Sequence, residues 1–186
     1  VTVRADAEAL AVIIQPLLAH APLQSPTLAD LLEVILQQGA SADGSQASYL
    51  AAQFDSVALA LAPIAGLSAN VLTGNKYVFE LQLLLTLDAV GLGQIDLNGG
   101  TATAGRADWE ASKVLAAGTV TYNAGLLSGL NGNLALAGGT TKMVRATGSF
   151  NCNGSGTLVP QFGQNAGPNG TSSVLVGSFL RVKRAT

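Results

Sequence analysis

A mainly β fold, an antiparallel β-sandwich or jelly roll preceded by a short N-terminal α-helical arm, is what this sequence predicts. Three observations lead there. In the stretch NKYVFELQLLLTLD, residues 75–88, Tyr77, Phe79, Leu81, Leu83, Leu85 and Leu87 fall on every second position, the period of a strand with one buried face. From residue 70 onward, short alternating runs are separated by GLG, NGG, AAG, NGN, AGG, NGSG and GPNG, all turn chemistry. Residues 1–55 instead are rich in Ala, Leu and Gln, with apolar positions at helical spacing. The expected division is a helical anchoring arm over 1–55, a packed connector over 56–69 broken by Pro63 and Gly66, and a sandwich over 70–186.

Two helices account for the arm. ADAEALAVIIQPLLAHAP opens with Asp6 and Glu8, which suit the positive end of a helix dipole. Pro16 ends or kinks it near Ile14, because proline removes a donor and restricts the residue before it. SPTLADLLEVILQQG carries clearer punctuation: Thr27 as cap, Asp30 three residues on, and Gly39 after the last turn. Leu28, Leu31, Leu32, Ile35 and Leu36 form one apolar stripe. A stripe that wide needs a partner, so Leu31 and Ile35 are candidate subunit contacts.

The sandwich is expected to use strands near 75–88, 93–98, 108–115, 117–123, 133–137, 141–150, 156–163 and 173–184. Many short strands with glycine-rich turns argue for antiparallel packing. Residues 75–88 form a long central strand whose odd positions lie in the core. Its even face offers Val78, Glu80, Gln82, Leu84 and Thr86, half polar, as expected where a second subunit covers it. Val78 and Leu84 are therefore candidate interface residues. In SVLVGSFLRVKRAT, Val174, Val176, Leu180 and Val182 read as the core face, opposite Leu175, Phe179, Arg181 and Lys183. That second face turns from apolar to basic along its length. One end, with Phe179, reads as interface, and the other as solvated.

Composition supports burial between subunits. Charged residues are 11% of the 186 and hydrophobic residues 48%, against roughly a quarter charged in an ordinary globular chain. Obligate interfaces need such apolar surface. The net charge of −2 provides no field for nucleic acid or an anionic membrane. Ser56–Asn75 and Val114–Thr141 lack charge, but Gly, Asn, Thr and Pro interrupt them, so neither reads as a membrane span.

Reactive groups are sparse. His20 is the one histidine and Cys152 the one cysteine, and their spacing supports neither a triad nor a metal cluster. The carboxylates are mostly isolated, so no pair converges as a glycosidase requires. Asp88, Asp96 and Asp108 meeting at one end of a sandwich to hold calcium is conceivable, with turn capping the plainer reading. GLGQIDLNGG is a hairpin and does not lead into a helix as a phosphate cradle does. Trp109, between Asp108 and Glu110, reads either as a core plug or as a ligand contact beside Asn131 and Asn133. No catalytic, cofactor-binding or metal residue is expected.

Two stretches resemble tailed-bacteriophage virion proteins. APLQSPTLADLLEVILQQGASADGSQ, residues 21–46, is similar to fibre-type segments through Ala21, Pro22, Leu23, Ser25, Pro26, Leu31, Val34, Leu36, Gly39, Ala42, Gly44 and Gln46. KYVFELQLLLT, DLNGGTATA and PQFGQNAGPNGTSSVLVGSFLRVKR resemble a β-sandwich domain of phage particles, through Phe162, Gln164, Asn165, Ser173, Leu175, Gly177, Ser178, Leu180, Val182 and Arg184. The resemblance implies a trimeric jelly roll of the tumour-necrosis-factor-like kind with no active-site residues. It implies a non-enzymatic homotrimer on the virion surface, assembled in the bacterial host cytoplasm. Such a decoration or cement protein would be anchored to other virion proteins, the major capsid protein among them. A short tail fibre or tail-tip knob binding a host receptor or surface glycan is the alternative. Neither role involves nucleic acid or membrane.

Overall fold

In a computed structural model of the chain, residues 45–90, 92–122, 127–136, 140–165, 167 and 170–185 are described. Both expected helices, with Leu31, Ile35 and His20, lie outside the described residues. Within them the chain is built of antiparallel strands.

The largest sheet centres on β5 (Lys76–Thr86), flanked by β11 (Thr141–Gly154) and β15 (Phe179–Arg184). β1 (Ser45–Tyr49) closes one edge beside β15, while β7 (Thr103–Leu115) lies beyond β11 and carries β8 (Val120–Tyr122) and β9 (Leu127–Ser128). β14 (Ser172–Val174) joins the far end of β5 and pairs with β2 (Phe54–Ser56). A second sheet runs β10 (Leu134–Leu136), β6 (Gly93–Asp96), β13 (Gln161–Gly163) and β3 (Ala62–Pro63). β4 (Ala69–Val71) and β12 (Gly156–Leu158) form a third, two-stranded piece. Mainly antiparallel sheets enclosing one apolar core are compatible with a jelly-roll sandwich.

β5 behaves as its alternation requires. Tyr77, Phe79, Leu81, Leu83 and Leu85 are all buried, and Leu87 continues the series past the strand end. Beside them lie Leu180 and Val182 of β15, and Val144, Ala146, Phe150 and Cys152 of β11. Ile95, Leu134, Leu136 and Phe162 come from the second sheet, and Ala69, Val71 and Leu158 from the third piece. Burying each large side chain stabilises the fold by about 1.5–3 kcal/mol before entropy is counted.

Trp109 occupies the middle of this core at 1% exposure, its indole N–H donating to the carbonyl of Gly129 at 3.1 Å. Gly148 is its register partner on β11. A Cβ on Gly148 would collide with Trp109 Cβ and the Asp108 carbonyl, and one on Gly132 would meet the indole ring. Two missing side chains make the space the indole fills. Trp109 is thus the core plug, and the reading of it as a ligand contact is corrected: no face of the ring reaches solvent.

The expected strands divide where the backbone demands it. Residues 156–163 split into β12 and β13 around Pro160, which has no N–H for a ladder. Residues 173–184 split into β14 and β15 at a turn in which Gly177 takes φ 90° and Ser178 N–H donates to the Leu175 carbonyl. The Ser178 hydroxyl donates to the same carbonyl at 2.8 Å and accepts from Leu84 N–H at 2.9 Å. The turn breaks the two-residue period, so Val176, expected on the core face, is 56% exposed.

Strands also begin earlier than the arm boundary at 55 allowed. β1 pairs along all of its length with β15, and its side chains bridge to β4. The Gln46 amide donates to the Asn70 carbonyl and accepts from Asn70 N–H, both at 2.9 Å, while Ser48 Oγ accepts from Ser68 N–H at 3.0 Å. Side-chain groups thus replace a backbone ladder where two sheets meet.

Candidate interaction face

The side of the large sheet turned away from the core presents the residues that alternate with the buried ones, and the strand register sets them in ranks. At one end Leu84, Met143, Val114 and Val120 stand side by side across β5, β11, β7 and β8. Val120 is exposed, and the other three are half-buried. The next rank runs Tyr49, Phe179, Gln82, Arg145 and Ser112. Tyr49 is 60% exposed and its ring lies 6.0 Å from that of Phe179, tilted by 44°. Arg145 Nε donates to Gln82 Oε1 at 3.1 Å.

Further along, the face becomes charged. Ala47, Arg181, Glu80, Thr147 and Glu110 share a rank, with Arg181 and Glu80 paired at 3.7 Å. Both partners are about half exposed, so this pair contributes little to stability. Beyond it stand Ser45, Lys183, Val78, Ser149 and Asp108, then Lys76, Asn151 and Arg106. Val78, 42% exposed, is a lone apolar residue among these charges. Across the whole sheet this face therefore passes from an apolar rank to ranks of mixed charge, basic along β15 and with Glu80, Glu110 and Asp108 among the others.

Val78, Leu84 and Phe179, named from the sequence as interface candidates, share this one face. Tyr49, Met143, Val114 and Val120 join them without being candidates from the sequence. Met143 and Val120 flank short or interrupted alternation, and Tyr49 lay in a stretch expected to be helical. The three aspartates are not brought together. Asp88 follows the end of β5, Asp96 is buried on β6, and Asp108 sits on the outer face. Among the described residues no group of three or more His, Cys, Asp or Glu gathers to hold a metal. Cys152 is buried, its thiol donating to the Gly154 carbonyl at 3.2 Å, and burial pushes its pKa up. It stays a thiol at neutral pH and is a poor nucleophile.

No family model matches the chain, and no curated protein is significantly similar to it. Among solved structures, murine APRIL at pH 5.0 is 10% identical over 75% of this chain and all of its own, with TM-score 0.31. The infectious bursal disease virus VP2 subviral particle is 14% identical over 76% of this chain and 40% of its own, with TM-score 0.21. The Clostridium thermocellum xylanase 10B CBM22-1–GH10 structure with xylohexaose is 6% identical over 64% of this chain, with TM-score 0.29. This chain spans only 19% of that xylanase chain. Likenesses at this distance carry no argument about what the chain does.

Proposed function

We propose that this chain is a non-enzymatic structural protein of a bacteriophage particle, a homotrimeric decoration or cement protein on the capsid surface. The observation that carries the proposal is the apolar end of the outer face, where Leu84, Met143, Val114 and Val120 form one uncharged rank and Tyr49 and Phe179 pair in the next, with Arg145 on that rank bonded to Gln82. In a chain with so few charges, such a patch marks a contact surface. The resemblance of residues 21–46 and of the closing strands to phage virion proteins supplies the particle and the trimer. Apolar burial, at roughly 25 cal/mol per Å² of surface, would hold the copies together without any reactive group.

Sedimentation equilibrium of the purified chain at micromolar concentration tests the assembly. The expected species is a trimer, and Leu84→Arg combined with Phe179→Arg shifts it to monomer while the circular dichroism spectrum is retained. A wild-type monomer under the same conditions overturns the proposal. Labelled antibody on intact particles, viewed by electron microscopy, tests the placement: signal confined to tail tips would replace decoration by a fibre role.

A further inference from the structure

At the end of the outer face remote from the apolar rank, Lys76, Asn151 and Arg106 lie abreast on β5, β11 and β7. Ser149 and Asp108 lie one step along on the same side, and with Phe150 these residues line a shallow depression of about 240 Å³. Leu84 and Lys76 are eight residues apart on β5, so about 26 Å separates this depression from the apolar rank. The inference does not rest on the oligomer.

The register fixes the spacing of the cations. Lys76 and Arg106 flank the strand that carries Asn151, so their backbones are about 10 Å apart, and an anion over Asn151 lies midway between them. Arg106 Nε donates to Asp108 Oδ2 at 2.6 Å. That bond orients the guanidinium and leaves its two terminal amino groups for another acceptor. Lys183 stands opposite Val78 on β15, adding positive charge to the same border. Ser149 and Asn151 bring a hydroxyl and a neutral amide, and Asp108 brings a carboxylate that accepts hydroxyl donors.

We infer that this depression binds a phosphorylated or sulfated sugar. The oxyanion would sit between Lys76 and Arg106, and the sugar hydroxyls would meet Asp108, Asn151 and Ser149. An oxyanion alone uses only the donors, whereas a sugar phosphate meets the same Asp108 charge but also offers it hydroxyl donors.

The test is a titration of the full ¹⁵N-labelled chain with glucose 6-phosphate, inorganic phosphate and glucose at constant ionic strength. Glucose 6-phosphate should move the amide signals of Ser149, Phe150 and Asn151, with inorganic phosphate weaker and glucose inert. Lys76→Gln and Arg106→Gln should each weaken glucose 6-phosphate by about ten-fold, the scale of one charge-assisted contact. Lys142→Gln, outside the depression, should bind as wild type. Shifts elsewhere, equal shifts with glucose, or unchanged binding in both depression variants would overturn the site. Inorganic phosphate binding as tightly as glucose 6-phosphate would overturn the sugar component. If either variant loses its fold, the salt dependence of the wild type decides: affinity that holds on adding sodium chloride contradicts an ionic site.

Discussion

Asp55 and Asp96 are two carboxylates whose surroundings pull in opposite directions. Asp55 Oδ1 accepts from the Ser173 hydroxyl at 2.6 Å and from the Gln53 amide at 2.7 Å, and these bonds hold its pKa below the ordinary 3.8. Asp96 is buried, and burial pushes its pKa up against backbone N–H bonds from Leu97, Gly132 and Asn98. The stability signs differ accordingly. A depressed group stabilises the fold above 3.8, and that contribution is lost as pH falls through the folded value. A raised group keeps its proton longer in the folded state, so its contribution turns unfavourable as pH rises from 3.8 through the folded value. Urea unfolding across the acid range should show Asp55→Asn losing less stability than wild type on acidification. Over the same range wild type should decline relative to Asp96→Asn as pH rises. Parallel curves for all three proteins would show that neither carboxylate is perturbed. Gln53, Leu97 and Asn98 are neighbours in sequence, but the sequence does not show the burial of Asp96 or the distant partners Ser173 and Gly132.

At the scale of elements, periodicity made β5 legible from end to end, and with it the core face of the sandwich. It also placed Val78 and Leu84 on the opposite side, because a strand's two faces are fixed by parity. What it could not give was the pairing. β1, β2 and β4 are too short for a period to stand out, and β3 and β9 are only two residues each. The match between Gly148 and Trp109 depends on register between β11 and β7, which no local pattern encodes. That match has a measurable consequence. Gly148→Ala places a Cβ against Trp109 and the Asp108 carbonyl, and neither backbone can retreat without breaking the ladder between two central strands. The expected loss is at least about 2 kcal/mol, within the range for overpacking a core, read as a lower urea midpoint. Gly118→Ala is the useful contrast. Gly118 has open space but φ 78°, so its cost is conformational and should be nearer about 1 kcal/mol. Equal midpoints for Gly148→Ala and wild type would mean the indole has room to shift.

For the whole molecule, the boundary between the arm expected from sequence and the sandwich decides what can be removed. Composition set it at residue 55, because Ala, Leu and Gln continue to that point. Among the described residues the strands begin at Ser45: β1 covers the outer edge of β15, and Gln46 and Ser48 satisfy backbone groups of Asn70 and Ser68. A deletion of residues 1–55 would therefore remove more than an arm. It leaves the β15 edge unpaired, strips the partners from the start of β4, and takes two of the three residues of β2 from β14. An exposed edge with unsatisfied N–H and C=O groups is a template for aggregation. A chain starting at Ser45 keeps every one of these contacts. If the proposed function holds, the expected outcome is a folded 45–186 protein that trimerises but no longer joins particles, alongside a 56–186 protein that aggregates or unfolds at low urea. Light scattering and far-ultraviolet circular dichroism read both. Attachment retained by 45–186 would move the anchor into the sandwich, and a soluble, equally stable 56–186 protein would show that β1 and its amide bridge to Asn70 contribute nothing to the fold.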